Sequence, residues 1–373
     1  MIKVNILSPG RFHVLDLARE LDKNGLDVKF YSFVPTRRAE KFGLSKNCSI
    51  SLFRILLPFI VLERKFFPKR KWPRRLRVFF QDRLTAAVMR KADVTIAMSG
   101  LFCYSIDKAK SRGDIIIVER GSKHILEQKR ILEAIPANVG KVVIGEEIVK
   151  RELHDYKTAD YIAIATEHVR RSFMLHHYPI GKLFVNPYGV DISSFYPTTN
   201  KEKQYDVLMV GGWGYQKGCD LIIGAIKALN VRFLHVGGIV DLDFPKDNNF
   251  THIDSVDETQ LVNYYHQSKV FLLPSRQEGL AMVQIQAIAC NLPLIGSPDS
   301  GAEDLRKLVA NPDYVVIIKD YSVDSVVDAL KRALALYERL GCEKYTGDSL
   351  CNLTWEAYGK RYADFLFGLN GRK

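Results

Sequence analysis

PSRQEGLAMVQIQAIACNLP, residues 274–293, decides how this chain is read. The apolar run Val270–Leu273 precedes it and has the length and composition of a buried strand. Ser275, Arg276, Gln277, Glu278 and Gly279 then make a tight turn, and Leu280–Cys290 is a mostly apolar helix that stops before Asn291 and Pro293. A strand, a glycine turn and a helix N-terminus together form an anion site, because first-turn amides lack intrahelical partners and the helix dipole favours negative charge there. A carboxylate at that mouth, Glu278, can accept hydrogen bonds from sugar hydroxyls. The segment therefore suggests a nucleotide-sugar site.

The same unit occurs twice earlier in the chain. Val207–Val210 reads as a strand, Gly211–Lys217 as a Gly-rich loop and Gly218–Leu229 as a helix. Near the N-terminus the strand Val4–Ser8 leads through Pro9-Gly10-Arg11 into the helix Phe12–Lys23, closed by Asn24-Gly25. Further strands are expected at Val28–Phe33, Val94–Met98, Ile115–Val118, Tyr161–Ala165, Arg232–Val236, Leu294–Gly296 and Val315–Ile318. Strands alternating with helices imply an α/β fold with parallel, doubly wound sheets. The 373 residues exceed one ordinary core, and the pattern restarts after Pro187, so two domains are expected. The expected division is 1–190 and 191–354, joined at the turn-rich Asn186–Pro197, with a last segment, 355–373, whose helix Trp355–Phe367 would pack back on the first domain.

Composition bounds the rest. The chain is 47% hydrophobic and 26% charged, which fits a globular, soluble protein. Its 6 cysteines are scattered without a CxxC pair, against a disulfide framework or zinc site and in keeping with a reducing cytosol. The start, MIKVNILSPG, turns polar too early for a signal peptide, and the longest uncharged apolar run, Ile55–Leu62, is too short to span a bilayer. A cytoplasmic location is expected.

The charge is uneven: the first hundred residues carry a net +13, against +12 for the whole chain. The excess peaks in ERKFFPKRKWPRRLR, residues 63–77, where Arg64, Lys65, Lys69, Arg70, Lys71, Arg74, Arg75 and Arg77 interleave with Phe66, Phe67 and Trp72. Basic groups attract anionic headgroups while aromatic rings enter the interface, so a peripheral contact with an anionic membrane is one reading. A solvated loop and a nucleic-acid contact are the others.

The second half resembles the retaining GT-B glycosyltransferases of family four. The residues that carry the resemblance are ADYIAIATEHVRRSFMLHHYPIGKLFVNPYGVDISSFYP (159–197), VLMVGGWGYQKGCDLIIGAIKAL (207–229), FLLPSRQEGLAMVQIQAIACNLPLIGS (271–297) and Thr354-Trp355. They occur in the family's order from about residue 145 onward, whereas the first 140 residues match in layout only. The resemblance implies a GT-B fold, two Rossmann-like domains facing across a cleft, with the nucleotide sugar bound by the second domain and the acceptor mainly by the first. It implies transfer of a sugar from a nucleoside diphosphate sugar, of UDP or GDP type, to an acceptor hydroxyl with retention. It implies no cofactor and no essential metal.

It also implies roles. Glu278 falls on the first glutamate of the E-x7-E motif and would hold the donor sugar; Lys217 falls on the phosphate-binding lysine. Gly279 and Leu280 would offer backbone N–H groups to the diphosphate, and Gly10 and Gly211 would let the backbone approach it. Loops near Val236–Val240 and His252–Val256 would read the base. Two positions depart from the family. The second glutamate is Gln286, which has one acceptor oxygen and an NH2 donor and, on an apolar helix, needs a partner. The phosphate-loop arginine is Gly212, a loss that Arg276 is a candidate to repair. In the first domain, VERGSKH (118–124) follows a strand at its C-terminal end; His124 is the candidate to reach the reacting centre and Arg120 to bind phosphate or an acidic acceptor. Glu119 and Asp16 read as surface charge.

With the basic-aromatic segment in the acceptor half, the expected acceptor is a lipid-linked or cell-envelope glycan at the inner membrane face, with no nucleic-acid partner. Two alternatives stand beside it: a non-transferring nucleotide-sugar enzyme of epimerase type, and a sugar-nucleotide-binding protein with weakened catalysis, suggested by Gln286 and Gly212.

Overall fold

The computed structural model describes residues 1–67, 72–198, 202–340 and 348–370. Apolar runs alternating with helices build two sheets. The first contains β1 (Lys3–Leu7), β2 (Asp27–Ser32), β3 (Ser49–Ser51), β4 (Val94–Met98), β5 (Ile115–Arg120), β6 (Tyr161–Ile164) and β7 (Leu183–Val185), in the order β3-β2-β1-β4-β5-β6-β7. The second contains β8 (Tyr205–Val210), β9 (Phe233–Val236), β10 (Phe250–Ile253), β11 (Ser268–Leu273), β12 (Leu294–Gly296) and β13 (Val315–Ile317), in the order β10-β9-β8-β11-β12-β13. Each ladder in both sheets is parallel. Helices cover both faces, which is why central strands such as β4 and β11 are buried almost throughout and lack polar alternation. In each sheet the strand order reverses beside its first strand, and the loops at the C-terminal strand ends gather there.

The helix Trp355–Asn370 returns to the first sheet and lies across Phe12–Lys23. Its Tyr358, Tyr362 and Leu366 are buried. Gly359 lets the two helices meet, since a Cβ there would collide with Glu20. This docking corrects the expectation for Asp16 and Glu119: both are buried, at 6% and 2% exposure. With a helix on one side and the sheet on the other, each takes a partner. Arg19 holds Asp16 at 2.6 Å, and the ring of His13 meets Glu119 at 3.0 Å. Burial, offset by the neighbouring arginines Arg19 and Arg11, leaves the Asp16 carboxyl raised above its ordinary range.

The chain passes between the two sheets after β7 and returns before the last helix. These passages are stitched together. Val190 pairs with Thr354 in a parallel bridge, and its N–H donates to the Leu353 carbonyl at 2.8 Å. Arg361 donates to Asn186 Oδ1 at 2.7 Å and to the Pro187 carbonyl at 2.8 Å.

Gly359→Val is expected to lower stability by about 1–3 kcal/mol, because overpacking a close helix crossing forces the backbone apart. Urea unfolding measures it, and an unmoved midpoint would show that the crossing tolerates a side chain.

Candidate functional site

The loop that opened the sequence reading lies against the Gly-rich loop. Gly218 has φ 74°, and a Cβ there would collide with the Pro274 carbonyl, so the start of helix Cys219–Leu229 sits directly on the end of β11. Lys217 closes the short turn Tyr215–Lys217 and its ammonium pairs with the Glu278 carboxylate. Behind this pair the loops are fastened together. Arg276 N–H donates to the Gln216 carbonyl at 2.8 Å, while its guanidinium forks onto Asp220 at 2.6 and 2.8 Å and reaches the Tyr215 carbonyl at 2.7 Å. Arg276, the candidate to stand in for an arginine at position 212, is held by Asp220 in a bidentate pair. At Gly212 itself an added Cβ would lie 2.8 Å from Val240, so this position has no room for a longer side chain unless Val240 moves.

The first domain presses on the same loop. A Cβ at Gly279 would collide with the Gly121 carbonyl, so glycine at 279 is required by close approach. Gln277 is buried and bridges the domains: its amide donates to Ser122 Oγ at 2.5 Å and accepts from Gln216 at 3.3 Å. Lys123 pairs with Asp299, whose other oxygen accepts from the Tyr321 hydroxyl at 2.6 Å. His168 contacts the Glu278 carbonyl at 3.0 Å and Thr166 donates to the Gly279 carbonyl at 3.4 Å. Glu278 N–H donates to the Asp299 carbonyl at 2.9 Å, so the backbone of Glu278 is held on two sides while its carboxylate meets Lys217. Gly279 and Leu280 then lead into helix Met282–Ala289, which starts two residues later than expected. At the other edge, Arg11 in the Gly10 turn pairs with Glu258 on helix Glu258–His266 of the second domain. Gly10 has no positive φ and no tight neighbour; its carbonyl accepts from Ser8 Oγ at 2.8 Å.

Two first-domain expectations are corrected. His124 is 4% exposed, and its ring packs on Tyr156, Phe173 and His176 inside the domain. Burial, followed by the neighbouring His176 and Arg120, pushes its pKa down to about 3, so the ring is neutral. Gly121–Lys123, rather than His124, is the part of VERGSKH that meets the Glu278 loop and Asp299. Arg120 is equally enclosed. It pairs with Glu152 at 2.8 Å and donates to the Lys123 carbonyl at 2.9 and 3.0 Å, which makes it a brace for that segment. Gln286, expected to need a partner, finds one in the buried Tyr265, whose hydroxyl lies 3.1 Å from Gln286 Oε1.

The basic-aromatic segment forms a helical hairpin. Its first arm is Phe53–Val61, followed by the turn Leu62–Phe66; its second is Trp72–Val88. Of the first arm only Leu56 is fully covered, while Ile55, Leu57 and Val61 are exposed. Phe66, Phe67, Trp72, Leu76 and Phe79 are exposed too, beside the exposed Lys65, Arg74 and Arg75. Arg77 pairs with Glu63 at 2.6 Å across the hairpin. Lys69, Arg70, Lys71 and the Arg64 side chain lie outside the described residues. Among the described residues no helix is long and apolar enough to cross a membrane.

Residues 194–345 match the family described as glycosyl transferases group 1, and the fold is GT-B. The resemblance read in the sequence stands at that level. An uncharacterized glycosyltransferase of Methanocaldococcus jannaschii is 30% identical over 126 residues, 30% of this chain and 35% of that protein. A GDP-mannose-dependent alpha-(1-6)-phosphatidylinositol monomannoside mannosyltransferase of Mycolicibacterium smegmatis is 24% identical over 244 residues, 56% of this chain and 63% of that protein. The chain thus spans less than two thirds of each relative. Among solved structures, sucrose-phosphate synthase from Thermosynechococcus elongatus aligns over 100% of both chains with TM-score 0.69 and 14% identity. Anabaena HepE, in complex with UDP and glucose, aligns over 99% of this chain and 100% of its own, with TM-score 0.64 and 11% identity.

The His124 environment gives a pH prediction. Its folded pKa lies below the unfolded value, so its contribution to stability is complete above about pH 6.5 and is lost as pH falls toward 3. His124→Phe should flatten this acid sensitivity by up to one proton in unfolding titrations. Any nucleotide affinity should change by less than about threefold, since the ring contributes packing there. A loss of 100-fold would instead return His124 to the reacting centre.

Proposed function

We propose that the protein is a retaining hexosyltransferase that moves a sugar from a nucleoside diphosphate sugar, UDP or GDP type, to a hydroxyl of a lipid-linked or cell-envelope glycan at the inner membrane face. The second domain serves the donor and the first the acceptor. The observation that carries the reading is the Lys217–Glu278 pair at a glycine-lined helix mouth, closed over by Gly121–Lys123. A diphosphate would draw Lys217 and the first-turn amides, which stabilise the charge that develops as it leaves. Released from Lys217, Glu278 would accept from the donor sugar's hydroxyls. Retention is what the family resemblance implies for transfer at this mouth. Retention then follows from attack on the face the phosphate leaves, with the phosphate taking the hydroxyl proton. The reaction as proposed uses no metal or cofactor.

The acceptor class is supported by the exposed hairpin, since a contiguous apolar surface rimmed with cations suits an anionic interface. It is also supported by the phosphatidylinositol-based acceptor in the name of the mycobacterial relative. A second reading, binding without transfer, is favoured by Gln286 and Gly212.

Release of nucleoside diphosphate from UDP- and GDP-sugars with polyprenyl- and phosphatidylinositol-linked acceptors tests both. Glu278→Ala and Lys217→Ala should each lower turnover by about 100-fold, the scale for removing one charged partner of a transition state. Donor binding without release across the panel would favour the second reading. Separately, Phe66→Ser/Trp72→Ser should reduce co-sedimentation with phosphatidylglycerol vesicles by about threefold or more at low salt. Equal binding by the variant would remove the hairpin from the membrane contact.

A further inference from the structure

The Gly-rich loop is fixed from behind by two histidines. His235 lies on β9, fully buried, and its Nε2 is 2.8 Å from the Gly211 carbonyl. Its Nδ1 is 2.9 Å from Nδ1 of His252 on β10, and the two rings stack with centroids 5.0 Å apart. Trp213 and Phe244 pack on the His235 ring. Proton placement follows from chemistry. A carbonyl only accepts, so His235 Nε2 carries the hydrogen. A neutral ring has one N–H, so His235 Nδ1 is an acceptor and His252 Nδ1 must donate. His252 Nε2 lies 3.5 Å from Asp254 Oδ1. Burial first, then His252, pushes the His235 pKa down to about 4, in keeping with the neutral ring.

The carbonyl so held occupies a special place. Gly211 has φ 131°, and a Cβ on Gly237 would collide with the Gly211 carbonyl, so that carbonyl is pinned between His235 and the Gly237 backbone. Gly211 also lies beside the donor-site cation: an added Cβ would be 4.0 Å from Lys217 Cε. We propose that His235 is a positioning residue of this loop: its Nε2–H sets the Gly211 peptide, and with it the approach of Gly211–Lys217 to a diphosphate, while His252 locks the tautomer that makes this possible. The proposal rests on the donor-site reading above. It also gives the loop a built-in link from its anchor to β10, whose end leads into the segment expected to read the base.

Glutamine reproduces the Nε2–H of histidine and leucine does not; asparagine likewise reproduces the Nδ1–H. Calorimetric titration with UDP, GDP and inorganic pyrophosphate, alongside uridine and guanosine, therefore separates positioning from packing. His235→Leu should weaken the diphosphates by about 10-fold, the effect of one lost hydrogen bond on a loop conformation, and the nucleosides by less than about twofold. His235→Gln should stay within about twofold of wild type. His252→Phe should weaken the diphosphates by about threefold, with recovery in His252→Asn. If His235→Leu fails to fold, the His252 pair carries the same test. Unchanged diphosphate affinity in His235→Leu, or equal losses in Leu and Gln, or in Phe and Asn, would overturn the proposal alone. Wild-type protein that binds none of the diphosphates would overturn the donor-site reading beneath it as well.

Discussion

The site depends on one backbone contact, the approach of Gly279 to the Gly121 carbonyl. Backbone against backbone there leaves no room for a side chain at position 279. It brings Ser122 and Lys123 to Gln277 and Asp299, and it places the first-domain helix that starts at Glu167 over the Glu278 carbonyl. The carboxylate of Glu278 pairs with Lys217. A side chain at 279 would therefore disturb the loop that carries Glu278 through the interface between the halves.

The cations near the site divide by what surrounds them. Arg276 and Arg120 are each bound by a carboxylate and by main-chain carbonyls, so their charge is spent on holding loops. Planar guanidinium groups suit that task, since they satisfy several acceptors in one plane. Lys217, with a single ammonium on a flexible stem, keeps a partner it can exchange. Lys217 is the one cation in the sequence of the Gly211–Lys217 loop, whose backbone is heavily braced.

The sheets were legible because their central strands are buried on both faces and read as unbroken apolar runs. Helix Phe12–Lys23, strand β4 and strand β12 fall where the residues place them. The strands that escaped, Ser49–Ser51, Leu183–Val185 and Phe250–Ile253, all lie at sheet edges, where burial is partial and the apolar signal fades. Glu278 and Lys217 were each expected from the strand–loop–helix unit that presents them, and the structure brings the two side chains together. The fates of Arg276, Arg120 and Glu119 were not legible, because each is decided by a partner 56, 32 or 106 positions away. His235 gave only the weak sign of a histidine within an apolar strand, and its meaning lies in the carbonyl it meets across the loop.

The stitching of Val190 to Thr354 has a mechanical consequence. Two passages joined at a point act as a hinge pin rather than as a pair of slack tethers. Relative motion of the halves becomes a rotation, and displacement grows with the lever arm from the pin. Tyr188 borders the pin and its hydroxyl lies 3.2 Å from a Cβ built on Gly121, so the glycine contact sits close to the axis. A rotation about that axis would displace this contact least and the rim of the cleft most.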